Sequence, residues 1–251
     1  MGFIKRLFKG LIIIFIIVIL VLGYLGFVPG ISAIFGSNKP QDLGIKYTEE
    51  ALQSIAEKNK VKRVIIDQAP NIKSSFILEG NQEVNNSFTS EEITARLSQE
   101  SDWPLNPFTD VQVKIGENGI VEASGIVRVN RLKDYAEVTG VSQKDIETIS
   151  KGMDKYKIPR ISFPAYVRGT ISINNNRLDI NLAELKVGRI SLSQKLYSQA
   201  KKPFESFVYE RLTSGGYGSL FVRSLNFSNG KMNFSGNLPQ IITTARTIFG
   251  D

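Results

Sequence analysis

The sequence predicts an α+β fold in which an N-terminal transmembrane helix precedes long, coiled antiparallel β-hairpins packed with amphipathic helices. Three observations lead to this prediction. Residues 11–28 contain no charged side chain and are almost all apolar. Residues 161–174 alternate between apolar and polar side chains over an unusual length. Several segments between the strand patterns carry apolar residues at helical spacing.

The predicted membrane anchor is residues 11–28. Eighteen helical residues span roughly 27 Å, close to the hydrocarbon thickness of about 30 Å. The apolar run outlasts that of a cleaved signal peptide, and the best cleavage motif, residues 31–33, has a bulky Ile where a small residue is needed. Three basic residues between positions 5 and 9 precede the span. The positive-inside rule therefore predicts a single-pass protein of the cell membrane with a cytoplasmic N-terminus and an extracytoplasmic C-terminal domain.

This topology divides the chain into three parts. Residues 1–35 are the predicted cytoplasmic tip and anchor, residues 36–41 a linker, and residues 42–251 one exported α+β domain. A chain of 251 residues is long enough for one sizeable domain in addition to an anchor. The predicted partner of residues 11–28 is the bilayer.

The composition excludes several kinds of chemistry. The chain has no Cys and no His, so it lacks disulfides, thiolate nucleophiles, imidazole bases and Cys/His metal sites. An exported protein of this size without Cys is more typical of bacteria than of animals. The net charge is +7, with the basic residues scattered and not interleaved with aromatic residues. We therefore predict no metal, no cofactor and no nucleic-acid partner.

Two helix-start signals organise the first part of the predicted domain. Thr48 is a candidate N-cap for a helix over residues 49–58. Thr89 and Glu92 have the spacing of a capping box, which predicts a helix to about residue 99. Strand patterns are predicted at residues 62–67, 74–79 and 84–88.

Three hairpins are predicted from alternation and turn residues. The first joins residues 110–115 to 120–129, and the third joins residues 220–227 to 231–234 around Asn229-Gly230. The second begins with residues 161–173, thirteen alternating residues that predict a strand of about 43 Å against the usual 17–20 Å or so. Its return strand changes phase twice, which predicts bulges near Ala183 and at Gly188 that coil the sheet.

Three further helices are predicted between and after the hairpins. One is capped by Ser142, one carries a long apolar stripe over residues 196–212, and one begins at Pro239. The apolar face of the last is Ile241, Ile242, Ala245, Ile248 and Phe249.

No catalytic motif is found in the sequence, and we predict that the protein is not an enzyme. The glycine-rich residues 213–218 precede a strand and lack the Lys-Ser/Thr of a phosphate-binding loop. Carboxylate pairs lie in first helical turns, where the helix dipole explains them. Three N-x-S sequons, at Asn85, Asn226 and Asn233, are interpreted as chance matches in Asn/Ser-rich strands.

Several segments carry a family resemblance: residues 88–97 (FTSEEITARL), 158–169 (IPRISFPAYVRG), 187–192 (VGRISL) and 225–239 (LNFSNGKMNFSGNLP). Over residues 85–240 the chain resembles bacterial membrane-anchored proteins of the YpmS type and exported tubular lipid-binding (TULIP-like) domains. Ser193 stands where such relatives often have proline. The resemblance implies a long coiled sheet that wraps a helix and leaves an apolar groove for acyl chains.

The candidate groove carried by this resemblance has two walls. Its strand wall would be Phe163, Val167, Ile171, Ile180 and Leu182, and its helix wall Phe204, Phe207 and Val208. A closed core would use the same residues, because an apolar tube and an apolar core share one sequence pattern. Two functions therefore stay open: a membrane-anchored cell-envelope domain that binds lipid or another amphiphile, and an anchored interaction or scaffold module that binds another envelope protein.

Overall fold

A computed structural model describes residues 16–26, 28, 30–99, 103–141, 143–155, 161–195, 198, 201, 205, 209 and 220–249. The helices α1–α5 are Ile31–Ile34, Glu49–Asn59, Ser90–Gln99, Leu132–Val138 and Gln143–Lys155. The strands β1–β11 are Lys62–Ala69, Phe76–Glu79, Gln82–Phe88, Phe108–Ile115, Val121–Arg128, Ser162–Asn174, Arg177–Val187, Ile190–Ser191, Phe221–Ser228, Lys231–Leu238 and Ile241–Ile248. Short 3-10 helices cover Ile72–Ser75 and Val129–Arg131.

The strands form two sheets. The small sheet has the order β1-β11-β2, and the large one has the order β3-β10-β9-β6-β5-β4, with β7 on β6 and β8 on β7. The large sheet is antiparallel and curls into a half-barrel. Its long strand β6 pairs with β7 on one edge, and on the other edge with β5 and, at its last two residues, with β9.

The predicted fold class is wrong as stated, because the structure is mixed α/β and includes a parallel strand pair. β11 pairs parallel with β1 and antiparallel with β2, where the sequence predicted a C-terminal helix. Six of the eight residues of Ile241–Ile248 are β-branched, which restricts their side-chain rotamers in a helix and favours a strand. The apolar positions that suggested a helix also fit a strand buried between two neighbours.

The predicted transmembrane helix, and with it the single-pass, extracytoplasmic localisation, is contradicted by the structure. Residues 11–15 and 27 of the predicted span lie outside the described residues. In the part of the chain that is described, no helix is both long enough and apolar enough to cross a bilayer. Residues 16–24 are helical, but Gly26 takes φ 98° and the Ser37 hydroxyl donates to the Gly23 carbonyl at 2.7 Å. A count of apolar residues does not register the reversal of the chain at Gly26.

On both sides of Gly26 the chain contacts Arg189, in the turn between β7 and β8 of the large sheet. The Arg189 guanidinium lies 4.3 Å from the centroid of the Tyr24 ring and donates to the Phe35 carbonyl at 2.7 Å. The Arg189 amide donates to the Leu25 carbonyl at 3.2 Å. The domain boundaries at residues 36 and 42 stay predictions.

Most locally encoded elements are confirmed. Thr48 accepts a hydrogen bond from the Ala51 amide at 3.3 Å and caps α2. All three hairpins form, and the two-residue turns of the second and third have positive φ at both positions, as type I′ turns require. The predicted cap Ser142 lies outside the described residues, and α5 follows it.

One of the two predicted bulges is confirmed. The register of β6 and β7 shifts between Arg168 and Gly169, which leaves Ala183 without a partner on β6. At Gly188, by contrast, the prediction of a bulge is wrong. Gly188 has φ 58° and starts a tight turn that folds β8 back onto β7.

Helices α2 and α3 cover one face of the large sheet, here called the helix face. Val84, Phe88 and Phe234 are 3%, 3% and 7% exposed and pack with Ile55 of α2. On β4 and β5, Val113, Ile115 and Val121 form a second buried cluster against Ile93 and Leu97 of α3. The buried core of the large sheet therefore lies over β3, β10, β9, β4 and β5.

A buried carboxylate joins the two covering helices. Glu92 is 4% exposed and accepts hydrogen bonds from Lys58 Nζ at 2.6 Å and Ser54 Oγ at 2.5 Å, both on α2. Its second oxygen accepts from the Thr89 amide at 2.8 Å, as the capping box predicts. Burial acts to raise the pKa of Glu92, but the bonds from Lys58, Ser54 and Thr89 outweigh it and lower the pKa.

We predict that Thr244→Pro destabilises the protein by about 2–4 kcal/mol, because a proline in the central strand β11 removes a ladder hydrogen bond and leaves a buried carbonyl unpaired. Thr244 is 5% exposed and pairs with Ile65 and Phe76. Thr244→Val keeps the branched shape and the backbone amide and is the control. Urea unfolding compares the variants; equal midpoints for the two would contradict a strand here.

We predict that the carboxylate of Glu92 makes stability depend on pH. Its pKa is lower in the folded chain than its usual 4.5, so its contribution is present above about pH 4.5 and is lost as the pH falls through the folded value. Glu92→Gln therefore costs about 1–3 kcal/mol at pH 7 and flattens the loss of stability as the pH falls below about 4.5. The exposed neighbour variant Glu91→Gln is the control in urea titrations across this range. An unchanged pH profile in Glu92→Gln would refute the assignment.

Candidate functional site

The five strand-wall residues of the predicted groove lie on the helix face. Phe163, Val167 and Ile171 alternate along β6, and Ile171 is the cross-strand partner of Ile180. Leu182 is opposite Gly169, where the absence of a side chain lets the two strands approach closely. The structure therefore brings this wall together on one surface.

This surface differs from the rest of the helix face in its burial. All five strand-wall residues are half-buried, whereas the side chains under α2 and α3 are almost fully enclosed. Their register continues without interruption into the buried core, since Val167 is opposite Ala123, which in turn is opposite Val113. The helix face thus has a closed part over β3, β10, β9, β4 and β5 and a partly open part over β6 and β7.

The helix wall lies outside the described residues, since Phe204, Phe207 and Val208 are not among them. The described positions of the same segment are helical and reach the edge of β7. Glu205 Oε1 accepts from the Ile180 amide at 3.3 Å, and Lys201 Nζ lies 3.3 Å from Asp179 Oδ1. The hydrogen bond to Asp179, with the negative charge of Glu205, raises the pKa of Lys201.

The opposite face of β6 carries the polar members of the alternation, and part of it is buried. Tyr166 is 5% exposed and donates to Glu122 Oε2 at 2.7 Å across the β5–β6 pair. Lys186 Nζ lies 4.9 Å from the centroid of the Tyr166 ring and 2.7 Å from Glu184. Burial and the adjacent carboxylates raise the pKa of Tyr166 strongly, so its phenol stays protonated and serves packing and hydrogen bonding.

A second distinctive surface lies on β3, β10 and β9, on the face away from the helices. It consists of alternating Asn and Ser side chains and is here called the amide platform: Asn85, Ser87, Ser224, Asn226, Asn233 and Ser235. The register aligns them in two rows, Ser87–Asn233–Asn226 and Asn85–Ser235–Ser224. A shallow depression of about 390 Å³ lies between these side chains.

Hydrogen bonds order part of the platform. Asn233 accepts from Ser87 Oγ at 2.6 Å, and its Nδ2 donates to Asn226 Oδ1 and to Ser228 Oγ, each at 3.0 Å. Asn226 Nδ2 makes a long contact of 3.4 Å to Ser224 Oγ. The Asn85 carboxamide makes no hydrogen bond to the described residues. The platform therefore retains unused donors and acceptors beside a fixed framework.

The described residues hold no group of three or more acidic side chains placed to bind a metal ion. The two surfaces can bind ligands of different kinds. The partly open helix face can contact apolar groups, and the platform can form hydrogen bonds with polar ones.

In comparisons with protein-family models, curated proteins and solved structures, nothing matches the chain.

The amide platform was not predicted from the sequence. All three sequon asparagines, Asn85, Asn226 and Asn233, belong to it, although they come from three different strands. The available signal was the alternation of these Asn and Ser residues with apolar ones such as Val84 and Phe88. That alternation places all the polar members of a strand on one face.

We predict that Gly169→Ala destabilises the protein by about 2–3 kcal/mol, because a Cβ at this position would overlap the Asn181 carbonyl and force β6 and β7 apart. Thr170→Ala, an exposed position next to it, is the control and should cost less than about 1 kcal/mol. Thermal and urea unfolding measure both. Equal costs for the two variants would show that the close approach at the bulge is not required.

Proposed function

We propose that this protein is a non-catalytic binding domain that holds the apolar part of an amphiphile against the β6–β7 part of the helix face. One observation carries the proposal: an apolar surface continuous with the core is closed under α2 and α3 but only half-buried along β6 and β7. The resemblance of residues 85–240 to TULIP-like domains supports the same reading.

Energetics favour an apolar occupant. Completing the burial of a half-buried Ile, Leu or Phe side chain gains at most about 1 kcal/mol. Five such side chains lie along one strip, which suits an acyl chain better than a compact polar ligand. A polar ligand would lose hydrogen bonds to water there, since the strip offers it only apolar side chains.

The polar end of the amphiphile is assigned to the edge of β7. Lys201, Asp179 and Glu205 form an ion cluster there, and the Lys201 side chain is 40% exposed. An amphiphile lying along the strip would place its head group beside this cluster, where both signs of charge are present. The proposal assigns no bond-making step to any residue.

The test uses the full chain purified without detergent. We predict saturable binding of fluorescently labelled palmitate and a co-purifying amphiphile in native mass spectrometry. Ile171→Gln places an amide in the strip and should weaken palmitate binding at least fivefold. Ile65→Gln is the matched control, because Ile65 is 49% exposed on β1 of the small sheet.

Two outcomes would refute the proposal. In the first, protein with a native circular dichroism spectrum carries no co-purifying amphiphile and does not bind palmitate, as expected of a closed core. The other is an equal loss of binding in Ile171→Gln and Ile65→Gln, which would show that palmitate does not occupy the β6–β7 strip.

A further inference from the structure

The amide platform contains no charged side chain, whereas a solvent-exposed sheet face ordinarily carries some. Its six side chains are all uncharged amides or hydroxyls, although 22% of the chain is charged. The nearest ion pair joins Arg223 to Glu83 at 2.8 Å. Arg223 Nη1 also donates to the platform hydroxyl Ser235 Oγ at 3.2 Å, with its charge neutralised by Glu83. Lys58, which donates to the Ser87 carbonyl at 3.2 Å, is also held by Glu92. The platform therefore presents a neutral hydrogen-bonding surface.

We propose that the amide platform is a binding site for a neutral oligosaccharide. Carboxamides and hydroxyls both donate and accept, which matches sugar hydroxyl groups that do the same. None of the six platform side chains carries a charge that would attract an ionic ligand; Arg223, which is paired with Glu83, and the exposed Lys231 lie beside them. A lipid chain would bury amide groups without hydrogen bonds, at a cost of about 1–3 kcal/mol for each.

The platform is ordered before a ligand binds. Asn233 is fixed by three side-chain hydrogen bonds, so binding costs little further side-chain conformational entropy at this residue. Asn226 uses its oxygen for Asn233 and makes only a long contact through its amide. Asn85 keeps its whole carboxamide for a ligand. Fixed and available groups therefore lie side by side across the depression.

The dimensions suit sugar rings. Neighbouring strands are about 4.8 Å apart and alternate residues on one strand about 6.8 Å apart, so the two rows form a grid of polar groups on the scale of a pyranose ring. The depression of about 390 Å³ lies within the range of small-ligand sites, roughly 300–1,000 Å³. It is shallow, which favours an extended oligomer over a single enclosed sugar.

An exposed aromatic residue lies next to the rows. Phe221 is 38% exposed and is the cross-strand partner of Asn237, two positions beyond Ser235 on β10. The apolar face of a sugar ring can pack on such a side chain while its hydroxyls reach the amides. Phe221 therefore extends the site beyond Ser224 and Ser235.

The first experiment applies the full chain to a microarray that carries neutral, sialylated and sulfated glycans. The expected result is binding to neutral glycans in preference to the anionic ones. Isothermal titration calorimetry with the neutral oligosaccharide bound most strongly then gives the affinity. Absence of binding to any neutral glycan by chain with native circular dichroism, or preferential binding of anionic glycans, overturns the proposal.

Variants locate the site. Asn226→Ala and Asn85→Ala remove exposed carboxamides and should each weaken binding at least fivefold, with unchanged unfolding midpoints. Asn181→Ala, an exposed asparagine on β7 of the same sheet, is the matched control and should bind as the unmodified chain does. Phe221→Ala should weaken binding as well. Equal affinities for the platform variants and Asn181→Ala overturn the assignment, whatever the amphiphile experiment shows.

Discussion

The buried carboxylate of Glu92 is the constraint on which the closed half of this protein depends. A charge enclosed to this degree is tolerated only when its oxygens are satisfied. Here α2 supplies Lys58 and Ser54, and Thr89, the residue before α3, supplies its amide. The two helices are consequently held at one relative position. Their apolar residues then meet the sheet where Val84, Phe88 and Val121 lie, and leave the β6–β7 strip beyond their reach. The candidate β6–β7 site and the buried core therefore lie on the same face of the large sheet. The core is the part that α2 and α3 cover, and the site is the part that they leave uncovered.

The fold could be predicted from the sequence where the determinants are local. The capping box at Thr89, the Asn-Gly turn at Asn229 and the alternation in β6 each specify backbone geometry within a few residues, and each was found as expected. The prediction for β11 was wrong because its pairing is not local. It joins β1 across 179 positions, and its apolar spacing fits a helix and a strand equally well. The prediction of a membrane span was wrong for a related reason, since a hydropathy count does not detect the reversal at Gly26 or the hydrogen bond from Ser37 to the Gly23 carbonyl.

The candidate sites show the same division between local and long-range information. Alternation correctly placed Phe163, Val167 and Ile171 on one face, but only the packed structure reveals that this face is less buried than its continuation. The amide platform is assembled from three strands that are far apart in the sequence, so each contributing stretch was read alone. The asparagines were recognised as sequons, a local pattern, whereas the property that groups them is their cross-strand register.

The long-range pairing of β11 also affects the synthesis of the protein. Ile241 follows its partner Glu79 by 162 positions, and at translation rates of about 5–20 residues per second this corresponds to a delay of roughly 8–30 seconds. During that interval β1 and β2 have emerged, but the strand that lies between them does not yet exist. Ile65 and Ile77, on two unpaired strand edges, are then accessible to other nascent chains. The small sheet is therefore completed only once β11 has emerged, and until then its strand edges need protection from other nascent chains.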